Sequence, residues 1–350
     1  MFFGVPSIMS AEAADPQTVL SVARTAAEQL VADLERARQL TGQWANAELT
    51  DALVAAALAT CLHALARTGC RGEANRSASQ EFWRIAGPLL EVGALQQRAR
   101  FKPRGYAGDY QMLDRIATGY CCEHPLGRAF DRYFQGQAAP AAVRCRTEQI
   151  AAALATRGLT AAAAGFQVVS VGAGPAGDIQ QGLRCLSAPQ RNRLRVTLLD
   201  LDPEALEFAR RQVEPLLPRG ALECIRENLS RLPRRPNPET VLPAADFLVC
   251  SGLFDYLDDA AAVEMLRLFW RRLNPGGMLL VGNFAPANPT RAYMEWIGNW
   301  YLTYRTAVDL QRLALEAGIP AANCSVGCEP LGVDLFLAAQ RDRRPIDQCA

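Results

Sequence analysis

The sequence predicts an α/β fold in which a mostly parallel sheet ends in an antiparallel hairpin and follows an all-helical N-terminal region. Three observations predict it. Up to about Arg157 apolar residues recur at three- and four-residue steps. After Gly165 short β-branched runs alternate with helical stretches. Two final apolar segments are joined by only Pro330-Leu331-Gly332. Alternating strand and helix signals strand-helix-strand units of a parallel sheet, whereas a three-residue link permits only an antiparallel pair.

The helical elements follow in order. Asp15 as cap and Pro16 in the first turn open a helix to about Leu40, with Leu20, Ala23, Ala27, Leu30, Val31 and Leu34 on its apolar face. A second is expected from about Leu49 to Ala66 and a third over Gln80 to Gln97. Shorter ones are expected at about Tyr110 to Thr118, Pro125 to Phe134 and Pro140 to Arg157. Candidate strands are Gln167 to Val171, Arg195 to Leu199, Leu222 to Glu227, Asp246 to Cys250 and Met278 to Asn283, then Cys324 to Glu329 and Val333 to Ala339. The boundary falls near Gly158 to Gly165, giving a helical cap over 1–158, a sheet domain over 159–342 and a tail over 343–350.

Size and charge limit the function classes. At 350 residues the chain can hold a catalytic α/β domain of roughly 200 residues and an accessory one. Its 37 basic and 36 acidic side chains leave a net charge of +1. That lacks the positive excess of a nucleic-acid footprint, so a small-molecule partner is expected and a nucleic acid is not. No uninterrupted apolar run approaches the roughly 20 residues that span a bilayer, so no membrane span is expected. Met1 to Met9 holds Phe2, Phe3 and Val5 with no preceding Lys or Arg, a poor secretory signal, and the cytoplasm is the expected location. The eleven cysteines include the pairs Cys121–Cys122 and Cys324–Cys328, but neither has a matching second half. They read as reduced structural thiols, and no metal is expected. The sequence does not fix an oligomeric state; a homodimer is one option.

The strongest motif is Val168-Val169-Ser170-Val171-Gly172-Ala173-Gly174-Pro175-Ala176-Gly177-Asp178, a strand running into a Gly-x-Gly-x-x-Gly turn and then a helix. Missing Cβ atoms let backbone approach a ligand, and a helix N-terminus offers free N–H groups. Gly172, Ala173, Gly174 and Asp178 are therefore candidate cofactor contacts. At the end of the second strand Asp200, followed by Leu201, can accept hydrogen bonds from both ribose hydroxyls, while Asp202 before Pro203 reads as a helix cap. Loop and acid together also fit a nicotinamide dehydrogenase.

The turn Leu273-Asn274-Pro275-Gly276-Gly277, the closing hairpin and the lack of a domain after the sheet resemble class I methyltransferases, a Rossmann-like fold that binds S-adenosylmethionine (SAM). That resemblance implies adenine contacts at Asn228 and Leu229, and residues beside the transferable methyl at Ser251, Asp255 and Tyr256. More particularly, Lys102-Pro103-Arg104-Gly105-Tyr106-Ala107-Gly108-Asp109-Tyr110, the loop Ser251 to Asp259, and Glu295-Trp296 through Trp300-Tyr301-Leu302-Thr303-Tyr304-Arg305 are similar to one bacterial group. These are the methyltransferases of extracellular factor (3-hydroxypalmitic acid methyl ester) biosynthesis. The similarity implies in-line methyl transfer from SAM to a small organic acid at its carboxylate; N-, S- or C-methylation and a non-catalytic SAM-binding module are the alternatives.

A carboxylate acceptor suits a chain with two histidines, His63 in an apolar helix and His124 beside Pro125. It is ionised near neutral pH and needs alignment, not proton removal. An anionic acceptor needs a cation, for which Arg104, Arg144, Arg146 and Arg305 are candidates because the guanidinium fork grips a carboxylate through two parallel bonds. One of them, Arg104 among them, can instead hold the carboxylate of SAM, with Tyr106 closing over it. Trp296 and Trp300, four apart on an expected helix, are either walls of an apolar pocket or core.

Overall fold

The computed structural model describes residues 15–160 and 165–343; the expectations for Met1 to Met9, Cys349 and the tail after 343 lie outside them. The chain forms two compact units. One comprises Met1–Ala107, Tyr120–Gln135 and Thr290–Tyr301; the other comprises Gly108–Gly119, Gly136–Pro289 and Leu302–Ala350.

Among the described residues seven α-helices precede the first strand: α1 (Pro16–Leu40), α2 (Ala47–Ala66), α3 (Arg76–Leu90), α4 (Ala94–Phe101), α5 (Tyr110–Ala117), α6 (Pro125–Gln135) and α7 (Ala138–Leu159). The helical unit holds α1 to α4 and α6. Asp15 accepts the Gln17 and Thr18 N–H groups at 3.0 and 3.2 Å, satisfying donors that a helix start leaves open. Ala23, Ala27, Leu30 and Leu34 of α1 are buried, as are Val54, Leu58, Cys61 and Leu65 of α2. By length and composition α2 is apolar enough to cross a membrane, which run-counting misses because Thr50, Asp51, Thr60 and His63 interrupt it; it packs here against α1 and α6.

The single helix expected over Gln80 to Gln97 is two. Buried Asp131 of α6 accepts Leu95 N–H and Cys122 N–H, each at 2.9 Å. By taking a first-turn donor it lets α4 start afresh after Gly93. Thr290–Tyr301 joins this unit through buried Glu295, which accepts Gly72 N–H at 2.8 Å, Asn75 Nδ2 at 3.0 Å and Arg291 Nε at 2.7 Å. The α-helix expected at Trp296 and Trp300 is one π-helical turn, Tyr293–Ile297, with Trp300 beyond it. Both indoles are buried core.

The second unit continues with β1 (Phe166–Val171), α8 (Gly177–Arg184), α9 (Ala188–Arg191), β2 (Leu194–Asp200), α10 (Pro203–Val213), β3 (Leu222–Arg226), β4 (Ala245–Cys250), α11 (Asp259–Arg272), β5 (Leu273–Phe284), α12 (Ala307–Glu316), β6 (Cys324–Cys328) and β7 (Asp334–Gln340). The sheet runs β3-β2-β1-β4-β5-β7-β6, parallel through β5 and antiparallel for β7 and β6. Its alternating side chains feed two cores. Val169, Leu248 and Val281 pack with α11 and α12 on one face; Val168, Val196 and Phe247 pack with α7, α8 and α10 on the other. The strand order reverses between β1 and β4, and ligands of such sheets bind beyond the strand C-termini there. Glu329, buried, holds the hairpin turn by accepting Leu331, Val333 and Asp334 N–H groups at 2.6, 2.5 and 3.0 Å.

Candidate active site

Beyond β1 the backbone turns through left-handed conformations at Gly172 (φ 68°), Gly174 (φ 51°) and Ala176 (φ 52°) before α8 begins. Glycine adopts this region without cost; Ala176, a rare non-glycine case, stores strain at the loop. The acid at the end of β2 holds the loop down: Asp200 Oδ2 accepts Gly174 N–H at 2.8 Å and Oδ1 accepts Asp202 N–H at 2.9 Å. Burial pushes its carboxyl above the usual range, and these amides pull it back. Asp202 caps α10 through Glu204 N–H at 2.9 Å.

A cleft of about 410 Å³ opens above the loop. That is within the range of small-molecule pockets, roughly 300–1,000 Å³. Its walls include Gly172, Ala173, Asp178, Ser251 and Gly252, with Arg146 and Thr147 from α7, Leu113 and Asp114 from α5, and Gln181 from α8. Four residues expected at the cofactor, Gly172, Ala173, Asp178 and Ser251, thus meet in one cavity. Leu113, Asp114, Thr147 and Gln181 join them with no motif to announce them.

Arg146 is the buried cation of this cleft; Arg184, which also lines it, is exposed. Arg146 Nη1 donates to Ser251 O and to Asp334 Oδ2, both at 2.8 Å. Its charge also pulls on the carboxyls of Asp178 and Asp255. Asp255 is buried at the end of β4, where Oδ1 accepts Phe284 N–H at 2.8 Å and Asn283 Nδ2 at 3.1 Å. Burial pushes the Asp255 and Asp334 carboxyls up, with repulsion from Asp334 adding at Asp255 and from Glu329 at Asp334, against the pull of Arg146. The chain can pass this close because Gly282 has no side chain: a Cβ there would lie 2.7 Å from Ser251 O.

A stability consequence follows from these raised carboxyls. Between the ordinary carboxyl value of 3.8 and neutrality the folded pair binds more protons than the unfolded chain, so the pair's contribution to stability falls as pH rises. We predict that Asp255→Asn removes up to about 1.4 kcal/mol per pH unit from the decline between pH 5 and pH 8. Denaturant unfolding at both pH values measures it, and an unchanged slope in the variant contradicts the assignment.

Arg305, expected to act in catalysis, is corrected to a structural role. It is 2% exposed. Its Nε and Nη2 donate to Asp259 Oδ1 at 3.1 and 2.9 Å, Nη1 to Phe254 O and Asn283 Oδ1 at 2.8 Å each, and Nη2 also to Leu257 O at 2.7 Å. All five N–H groups are engaged, so none is left for a substrate carboxylate. The residue locks the loop after β4. Tyr256 is 42% exposed, and Asp258, not Asp255, caps α11. Leu201 is exposed, Asn228 half-buried, and Leu229 is buried near Gly172, whose Cβ would lie 3.7 Å from Leu229 Cδ1. Arg144 donates to Ile116 O at 3.4 Å, and Arg104 and Tyr106 are half-buried residues of the helical unit.

Asp178 and Arg146 put a buried acid and a buried guanidinium in one cleft, a donor set that suits the ammonium and carboxylate of an amino acid end. The loop and Asp200 add what a nucleoside end requires. The residues present fit SAM.

Residues 168–277 match a family model described as a methyltransferase domain. Sheet order, glycine loop and this match make the chain a SAM-dependent methyltransferase of the class I fold. The dehydrogenase alternative is thereby set aside. A solved structure titled a possible exported protein from Bordetella parapertussis shares the fold at TM-score 0.56 and 19% identity, covering 97% of this chain and 100% of that one. An O-methyltransferase family protein from Burkholderia thailandensis reaches TM-score 0.45 at 19% identity over 94% of this chain and 96% of that one. Magnesium protoporphyrin IX methyltransferase from Synechocystis PCC 6803, with bound SAH, reaches 0.46 at 13% identity over 71% and 100%. The sequence matches none of the curated proteins compared with it.

Proposed function

We propose that the protein methylates the carboxylate of a small organic acid, of the hydroxy fatty acid kind that the motif similarity implies. One observation carries this reading. Both imidazoles of the chain, His63 and His124, are exposed residues of the helical unit, and His124 Nδ1 accepts Gly127 N–H at 3.2 Å as a helix-start contact. An acceptor that is already anionic needs no imidazole base.

SAM supplies an electrophilic methyl group. The residues proposed to hold it are Gly172, Ala173, Gly174, Asp178, Ser251 and Arg146 at the amino acid end, Asp200 and Leu201 at the ribose, and Asn228 and Leu229 at the adenine. Arg104 and Tyr106 stay proposed as residues that cover it. Asp255, held by Asn283 and Phe284 N–H, and Tyr256 are the proposed neighbours of the acceptor. Arg305 acts on them as a positioning residue through Phe254 O and Leu257 O.

Mass spectrometry of reactions with SAM and a panel of hydroxy fatty acids tests this. A product whose added methyl is released as methanol in alkali is expected, with a rate flat across neutral pH. A methyl that survives alkali defeats the carboxylate reading and points to nitrogen, sulfur or carbon. A second reading has support in the raised Asp255 carboxyl: a proton acceptor for a hydroxyl or amine substrate, which would show as a rate rising with pH and lost in Asp255→Asn.

A further inference from the structure

The helical unit carries a cluster of charge that the methyl transfer site does not account for. Arg76, Ser79 and Trp83 stand three and four residues apart on one face of α3. Arg100, in the last turn of α4, reaches this face: its Nη1 donates to Ser79 Oγ at 2.9 Å, its Nη2 to Ser79 O at 3.2 Å, and its guanidinium lies 4.8 Å from the Trp83 ring centre. The Arg76 guanidinium lies 4.6 Å over the ring of Tyr301. Lys102 caps the end of α4 two residues after Arg100, in a left-handed conformation of φ 49°, and feels the charges of Arg76 and Arg100.

The acids do not balance these cations. Glu73 pairs with Arg76 and is mostly exposed, while the buried carboxylate of the region, Glu295, is taken by Arg291, Gly72 and Asn75. Neither Arg100 nor Lys102 has a carboxylate within ion-pair distance among the described residues. Burial pulls the Arg100 guanidinium down to about 10, and burial with the charges of Arg76 and Arg100 pulls Lys102 down. Like charges gathered in a partly desolvated place cost stability unless an anion joins them.

We infer that Arg76, Arg100 and Lys102 form a binding site for a doubly charged oxyanion, a phosphate group. Three cations against Glu73 leave a surplus of two positive charges, which a phosphate dianion neutralises and a carboxylate does not. Beyond the bonds that Arg76 makes to Glu73 and Arg100 makes to Ser79 and Trp296 O, the two guanidinium groups and the ammonium keep N–H donors that tetrahedral oxygens accept. Phe101, 56% exposed and edge-on at 6.1 Å to the buried Trp83 ring, offers an apolar surface to whatever bears the phosphate. This inference is independent of the acceptor proposed above.

The test is calorimetry on the full chain without SAM, using inorganic phosphate, phenyl phosphate and benzoate at low salt. We expect both phosphates to bind one per chain and benzoate to bind at least about tenfold more weakly. Phenyl phosphate binding tighter than inorganic phosphate identifies an organic phosphate as the ligand; equal binding identifies free phosphate. Arg100→Gln and Lys102→Gln should each weaken phosphate binding about tenfold or more. Lys102→Gln should also melt higher than the wild type when phosphate is absent, because a repulsion has gone, a result that a purely structural lysine would not give. Benzoate binding as well as the phosphates, variants that bind phosphate normally, or a Lys102→Gln protein that melts lower would each overturn the assignment.

Discussion

Arg146→Ala is expected to lower the unfolding free energy by about 3–5 kcal/mol and to abolish SAM uptake. The stability loss comes from what the substitution leaves behind. Asp334 has 0% exposure and Asp255 4%, and Arg146 is the cation whose charge offsets their repulsion most. Without it two buried carboxyls face each other, and Ser251 O loses its donor at the cleft wall. The double variant Arg146→Met, Asp334→Leu separates the two effects. It removes both members of the buried pair, which is often neutral for stability, so it should fold well and still fail to bind SAM. Denaturant unfolding and calorimetry provide the two readouts. A stable double variant with wild-type SAM affinity would show that Arg146 serves the fold alone.

Asp200→Ala should weaken SAM binding by about a hundredfold or more while costing less stability than the loss of Arg146. Each hydrogen bond to a charged group contributes about 1.5–3 kcal/mol, and this carboxylate is proposed to hold the ribose as well as the loop. The structure shows its two oxygens already fixing Gly174 and Asp202 amides, so its removal frees the turn that would cradle the ligand. Asp200→Asn sharpens the test. An amide has one acceptor oxygen, so one of the two backbone donors must face an NH2 group. The asparagine variant should therefore resemble alanine more than the wild type. Calorimetric titration with SAM measures both, and an asparagine variant of undiminished affinity would place the pocket elsewhere.

The sheet was legible from sequence because its parallel strands are short, mostly apolar runs between turn residues, with β3 at the edge the most polar of them. The glycine loop was legible because left-handed backbone selects glycine. Helix starts marked by a side-chain cap, at Asp15 and Asp202, could be placed closely. The break between α3 and α4 could not, because its cause is Asp131, more than thirty residues away in sequence. The same reason hides the site. Arg305 stands among aromatic residues in a loop, as a binding arginine does, and only the positions of Phe254 O, Leu257 O, Asn283 and Asp259 reveal that its donors are taken. Arg146 on an alanine-rich helix reads equally as a carboxylate anchor and as a solvated charge, and only the fold shows it buried against Asp334, 188 residues on. Local spacing reports backbone needs; it does not report which distant group compensates a charge.

The helical unit is not a contiguous stretch of chain: Thr290–Tyr301, from the connection between β5 and α12, completes it. Tyr293 Oη donates to Gln96 Oε1 at 2.6 Å, its ring stacks on Phe134 at 5.1 Å, and Tyr301 Oη donates to Asn75 Oδ1 at 2.7 Å. Cutting the gene anywhere between α4 and β1 would thus yield no self-sufficient halves, since the leading fragment would lack an inner wall and the trailing fragment would carry a sticky aromatic peptide. Modular exchange of this helical unit among relatives would require swapping two distant gene segments together, which ties the evolution of that connection to the evolution of the N-terminal helices.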